Sequence, residues 1–307
     1  MTRAADWTVA RLGDQSGRTF VVTGASSGLG VAVTRHLAAH GARVIMAVRD
    51  TRKGEHVRDH LLAANPGADL DVRRVDLLDL DTVRRFAEGL HSDAVAVDGL
   101  INNGGIATVP RRLSPQGVES QLATNHLGHF ALTGRLLDLL TAGSDPVVVT
   151  VASSLYRMGR LDPDDLAAEH RYSPGGAYAA SKLANVLFAL ELDRRLRATA
   201  SPVRSLLAHP GMAKTDLNRQ APPSARAVSS LMGLLYRRPV DEAAAPILYA
   251  ATETAAPAGL HIGPGRPLRK ARPTFETITG SATDPDLAAR LWSRSVRLTG
   301  VDIPPTK

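Results

Sequence analysis

Six short, mostly apolar runs, the first five each followed by a longer stretch of helical pattern, constrain this chain more than any other feature. The runs are Thr19 to Thr23, Arg43 to Val48, Leu70 to Val75, Leu100 to Asn102, Val147 to Val151 and Val203 to Ala208. Helical patterns cover Leu29 to His40, Arg52 to Ala64, Thr82 to Leu90, Val118 to Leu140 and Ala177 to Arg197. Strands linked through helices lie parallel, and a parallel sheet must be covered on both faces. The expectation is one α/β domain, a doubly wound parallel sheet of about seven strands, the seventh at Gly259 to Ile262. Residues 18–265 would hold it, between an N-terminal extension (1–17) and a tail (266–307).

Two segments break the rhythm. Residues 155–176 form an insertion rich in Asp, Pro and Gly. Residues 217–239 contain Pro222-Pro223 and the apolar stretch Leu231 to Tyr236. The second follows the sixth strand, over the carboxyl edge where open α/β sheets bind ligands, and is expected to be a substrate lid. In the tail, Asp284, Pro285 and Gly300 read as the N-cap, first residue and stop of a helix.

The formal charge of +7 would suit a nucleic-acid partner, but the arginines are scattered and only 4% of residues are aromatic. An anionic phosphate ligand is the better match, and no nucleic acid is expected. The absence of cysteine excludes disulfides and thiolate chemistry. Ten histidines show no HExxH-like spacing, so no metal is expected. Met1 to Asp14 has no apolar core, and no run approaches the ~20 apolar residues of a membrane span. These features lead to the expectation of a soluble, cytoplasmic protein, and leave open whether it works as a homodimer or homotetramer.

Three motifs carry chemistry. Thr23-Gly24-Ala25-Ser26-Ser27-Gly28-Leu29-Gly30 lies between the first strand and first helix, where glycines let backbone amides approach a pyrophosphate. Tyr178 and Lys182, four apart on a helix, share a face, so the ammonium can favour the phenolate. Ser153-Ser154 ends the fifth strand, and alternation lets only one of the two face the site.

With Asn102-Asn103-Gly104-Gly105 after the fourth strand, these motifs resemble the short-chain dehydrogenase/reductase superfamily, from about Arg18 to Gly265. Asn125-His126-Leu127-Gly128-His129-Phe130, the Ser153-Ser154 strand end and His209-Pro210-Gly211 resemble its retinol-dehydrogenase-like branch. The resemblance implies a Rossmann-type fold and a catalytic tetrad of Asn125, Ser154, Tyr178 and Lys182. Ser154 would donate to the substrate oxygen, Tyr178 would exchange its proton, Lys182 would hold the nicotinamide ribose, and Asn125 would fix a water beside Lys182. Cofactor contacts would come from Gly24, Ser26, Ser27, Gly28, Leu29, Gly30, Arg49, Asp76, Leu77, Asn102, Asn103, Gly104, Tyr178, Lys182, Pro210, Gly211 and Thr215. Where the family usually has NNAG, this chain has Gly104, and the lost methyl should loosen that turn.

At the end of the second strand, Val48-Arg49 stands where NAD enzymes carry an acidic residue, with Arg52 and Lys53 close behind. A 2′-phosphate would be attracted there, although Asp50 weakens the case. NADP(H) is expected rather than NAD(H). The expected activity is NADP-dependent hydride transfer between cofactor and a carbonyl or alcohol. Leu231 to Tyr236, with Leu155, Met158 and Met212, suggests an apolar substrate resembling a retinoid, steroid or lipid. The alternative is a catalytically silent NADP-sensing protein on the same fold; an epimerase or dehydratase would usually carry a larger C-terminal domain. Protochlorophyllide reduction, a neighbouring activity in this branch, is set aside because the chain has no cysteine.

Overall fold

The computed structural model describes residues 7–211, 238–265 and 272–303. Its centre is an eight-stranded sheet in the order β3-β2-β1-β4-β5-β6-β7-β8. The strands are β1 (Thr19–Thr23), β2 (Arg43–Val48), β3 (Asp69–Arg74), β4 (Gly99–Asn102), β5 (Val147–Val151), β6 (Arg204–Ala208), β7 (His261–Gly263) and β8 (Thr274–Glu276). The first seven are parallel, and β8 adds an antiparallel edge. Strand order reverses between β1 and β4, which opens a crevice beyond the carboxyl ends of those strands. Every residue of β4 and β5 is buried, as central strands covered on both faces require.

The helices are α1 (Gly28–Ala39), α2 (Thr51–Ala64), α3 (Leu80–Ser92), α4 (Gly128–Arg135), α5 (Leu137–Thr141), α6 (Pro174–Ala198), α7 (Val240–Thr252) and α8 (Pro285–Thr299). One apolar layer joins the sheet to α1 and α7 and includes Trp7, whose indole donates to Glu253 at 2.7 Å. The other joins it to α3, α4 and α6, closed by Trp292 of α8. Asp284 caps α8 by accepting from the amides of Asp286 and Leu287, and Gly300 ends it at φ 67°.

Three features depart from the sequence reading. The helix expected over Val118 to Leu140 is divided, with a π-helical turn at Ala123–Leu127 before α4. Helix α7 escaped notice because its run from Ala243 to Ala251 is buried on all sides and so shows no amphipathic period. Strand β8 is three residues long and partly exposed, too short to leave a pattern. The expected lid lies outside the described residues over 217–237, as do Met212 and Thr215.

Candidate active site

The loop after β1 sets the geometry of the crevice. Gly24 turns the chain at φ 68°. A Cβ on Gly30 would lie 2.2 Å from the Gly24 carbonyl oxygen, so only glycine lets α1 start this close to the strand. Ser27 is the N-cap of α1, yet its hydroxyl makes no capping bond, and the helix amides face outward. A pyrophosphate has the charge and the acceptors to satisfy that end. Behind the loop, the Thr23 hydroxyl accepts from the amides of Asn103 and Gly104 at 2.9 and 2.8 Å. Asn103 Nδ2 donates to the Thr23 carbonyl at 2.8 Å, tying the two loops together.

His129 completes this support. Its Nδ1 donates to the Asn125 carbonyl at 2.9 Å, so its Nε2 is an acceptor and takes the Thr23 hydroxyl at 2.9 Å. Burial pushes its pKa down to about 4. Thr23 and His129 were not read from the sequence as site residues, because a buried Thr and His look like ordinary core until the two loops meet. The turn at Gly104 is not loosened by the missing methyl. A Cβ there would meet Leu77 Cδ1 at 2.9 Å, so Leu77 already fills the space.

A cleft of about 560 Å³ gathers Gly24, Ser27, Gly28, Leu29, Arg49, Asn103, Gly104, Tyr178, Lys182 and Pro210. Arg49 stands exposed at one end and has no hydrogen-bond or ion-pair partner among the described residues. Asp50 is turned to other work: its carboxylate caps α2 by accepting from the Lys53 amide at 3.1 Å. Asp76 accepts from the Leu78 amide at 3.1 Å, while Asn102 donates to Thr133 Oγ1 at 3.0 Å from inside the sheet edge. Leu77 lies buried against the Gly104 turn. Ser26 and Gly30 belong to the glycine loop, and Gly211 follows Pro210 at φ 68°.

Tyr178 and Lys182 lie deep in the cleft on α6. Ser173 caps the helix with Pro174 behind it, which fixes where its first turns sit. Lys182 Nζ donates to the Val151 carbonyl at 3.0 Å and lies 5.7 Å from the Tyr178 ring centre. Burial pushes the phenol up to about 12 and the ammonium down to about 8. A hydrogen bond from Ser153 acts against the first shift. Lys182 does not lower the phenol's pKa in this state, contrary to what its spacing suggests, because desolvation dominates.

The serine at the phenol is Ser153 and not Ser154. Ser153 leaves β5 in extended conformation and faces Tyr178; Ser154, one residue on, points to the opposite side and is exposed. The Ser154 hydroxyl lies 3.3 Å from His209 Nδ1. Ser153 Oγ accepts from the Leu155 amide and keeps its own proton to give. Asn125 sits in the π-helical turn with its side chain fully occupied. Its Oδ1 accepts from Ile106, and its Nδ2 donates to the Ile106 carbonyl and Ser181 Oγ. It therefore braces the loop after β4.

A second hollow of about 730 Å³ lies against the insertion, lined by Arg160, Asp165, Tyr172 and Ser173, and holds none of these residues.

Residues 18–225 match the short chain dehydrogenase family model. The chain belongs to that family. Human retinol dehydrogenase 12 is 36% identical over 93% of this chain and 87% of its own length. Mouse polyprenol dehydrogenase is 39% identical over 93% of this chain and 85% of its own. A crystal structure of an uncharacterized protein from Mycobacterium paratuberculosis superposes with a TM-score of 0.80, at 43% identity, covering 97% of this chain and 99% of that one. These relatives put this short-chain dehydrogenase in the retinol-dehydrogenase-like branch, among oxidoreductases that act on CH–OH groups with a nicotinamide cofactor. No helix among the described residues is long and apolar enough to cross a membrane.

Proposed function

We propose that this short-chain dehydrogenase transfers hydride between NADP(H) and an apolar alcohol or aldehyde or ketone, with Ser153, Tyr178 and Lys182 as the reacting groups. The observation that carries the reading is the cleft itself. It has an unpaired Arg49 at one end and the Tyr178–Lys182 pair, backed by Ser153, at the other.

When bound, the cofactor would give the hydride in reduction and accept it in oxidation. The glycine loop and the start of α1 would hold its pyrophosphate, Arg49 and Lys53 the 2′-phosphate, and Lys182 the nicotinamide ribose. Ser153 Oγ donates to the substrate oxygen, and Tyr178 Oη gives it a proton in reduction or takes one in oxidation. Because burial keeps the phenol protonated, Tyr178 is an acid by default and needs help to act as a base. Asn125 holds the loop after β4 in place. The assignment of Ser153 rests on which hydroxyl reaches the phenol. Thr215 and the proposed lid over 217–239 keep their places in this reading as contacts near the nicotinamide and the substrate.

Leu155 and Met158 are large apolar side chains left 46% and 74% exposed just beyond Ser153. Such surface suits a ligand with a long hydrocarbon part, and the named activities of the retinol and polyprenol relatives point the same way.

The test is turnover of retinol, polyprenol and their aldehydes with NADP(H). Tyr178→Phe and Ser153→Ala should each lower kcat by roughly 100-fold or more, with cofactor affinity retained, while Ser154→Ala stays within about threefold. A Ser154→Ala loss as large as that of Ser153→Ala would refute the serine assignment. Tight NADP binding without turnover of any substrate would favour a sensing role instead.

A further inference from the structure

Beside the cleft, the end of β6, the start of β7 and the end of the antiparallel β8 bring together three side chains that the hydride-transfer reading does not use. They are His209, His261 and Glu276. We propose that they form a binding site for one borderline divalent cation, with zinc the best match to two imidazoles and a carboxylate.

The first observation is geometric. One ligand atom from each residue lies within 4.8 Å of the other two, and His209 Nε2 is 3.2 Å from Glu276 Oε1. Two donors on a tetrahedral zinc, each at about 2.0–2.1 Å, stand about 3.4 Å apart. The nitrogen–oxygen pair is close to that separation, and the second imidazole, within 4.8 Å of both, needs a shift of at most about 1.4 Å. The two rings lie 4.2 Å apart, centre to centre.

The second observation is independent of distance. His261 is fully buried, and neither of its ring nitrogens has a hydrogen-bond partner among the described residues. A buried imidazole with two idle nitrogens is costly unless something satisfies one of them. The third is a cradle. Gly263 lies between the partners, and a Cβ there would stand 2.2 Å from His209 Nε2 and 2.8 Å from Glu276 Oε1. Glycine keeps that space free.

One change of tautomer at His209 would accompany binding. Gly211 donates its amide to His209 Nδ1 at 3.3 Å, so that nitrogen is an acceptor and the ring proton sits on Nε2. Ligation through Nε2 as a neutral imidazole would move this proton to Nδ1, where the Ser154 hydroxyl, 3.3 Å away, can accept it in place of the bond from the Gly211 amide. Arg157 holds the other carboxylate oxygen of Glu276 at 3.3 Å, which aims Oε1 at the histidines but adds a competing positive charge. Three protein ligands leave a fourth position for water. Because Ser154 rests on the same His209, a bound ion would clamp the strand ends beside Ser153.

The test is a Co²⁺ titration of the full chain after chelator treatment, read by visible absorption and by displacement with Zn²⁺. One equivalent should bind with a tetrahedral spectrum. His261→Phe and the near-isosteric Glu276→Gln should each weaken it at least about tenfold. His60→Asn, which removes the exposed His56–His60 pair one helical turn apart on α2, should leave that site unchanged. Absence of saturable binding would overturn the proposal. So would an affinity that survives in folded Glu276→Gln but falls in His60→Asn. None of these readouts depends on turnover, so the proposed activity can fail while the cation site stands, and the reverse.

Discussion

Acid should unfold this protein earlier than its carboxylates alone would require, because two histidines beneath the catalytic cleft are buried neutral. His126 donates from Nε2 to Ser295, whose own proton goes to the Leu291 carbonyl, and burial lowers its pKa to about 3. His129 is held neutral by Asn125 and Thr23, and burial lowers its pKa to about 4. In the unfolded chain both titrate near 6.5. Folded-state values are depressed, so between about pH 6.5 and 4 the unfolded state binds more protons, and stability falls as pH falls. At pH 5 each histidine contributes a loss of about 2 kcal/mol relative to pH 7.5, or about 4 kcal/mol together. That is a large share of a net stability of roughly 5–15 kcal/mol. Urea unfolding at the two pH values measures the loss. His126→Phe should be the sharper test, since its ring would remain among Phe130, Phe188 and their neighbours. Whatever the substitution does at pH 7.5, the fall on going to pH 5 should shrink by about 2 kcal/mol. An equal fall in both proteins would refute the argument.

Two further predictions concern the cofactor. NADP(H) should bind at least about tenfold more tightly than NAD(H), and Arg49→Ala should close the gap by weakening NADP(H) alone; equal affinities in the unchanged protein would remove the basis for it. Gly30→Ala should abolish binding of both cofactors, because its Cβ would sit 2.2 Å from the Gly24 oxygen; calorimetry showing near-normal affinity would mean that this loop is not the phosphate site.

Most of the sheet could be read from the chain because parallel strands are buried on both faces and appear as apolar runs. β1, β2 and β5 fall at the expected residues. The rest of the fold was hidden where periodicity carries no information. Ala243 to Ala251 has no polar face to betray a helix, and the π-helical turn at Asn125 inserts one residue without changing composition. In the site, spacing put Tyr178 and Lys182 on one helix face, and only the glycine loop and the serine strand end elsewhere in the chain singled the pair out. The two serines could not be separated that way. One step along an extended chain reverses a side chain, so a single residue of misregister exchanges a group at the phenol for one on His209. The brace formed by Thr23, His129 and Asn125 joins residues about a hundred positions apart, and no local pattern reports it.

The same burial that organises the cleft gives its acid–base pair a direction. A phenol pushed up to about 12 is protonated at every ordinary pH, and to ionise it at pH 7 costs about 7 kcal/mol. In the proposed reaction Tyr178 would thus be ready to give a proton to a developing alkoxide, while oxidation would first have to create the phenolate. The group that titrates within reach is Lys182, lowered to about 8 by burial. Carbonyl reduction should therefore be level in kcat/KM from about pH 6.5 to 7.5 and decline above about 8, as the ammonium proposed to hold the cofactor loses its charge. Lys182→Arg supplies a cation that stays protonated throughout, so any residual activity of that variant should lack the decline. A wild-type profile level to pH 10, or the same fall in Lys182→Arg, would show that the limiting titration lies elsewhere, and that the buried lysine acts through its position and not through its charge.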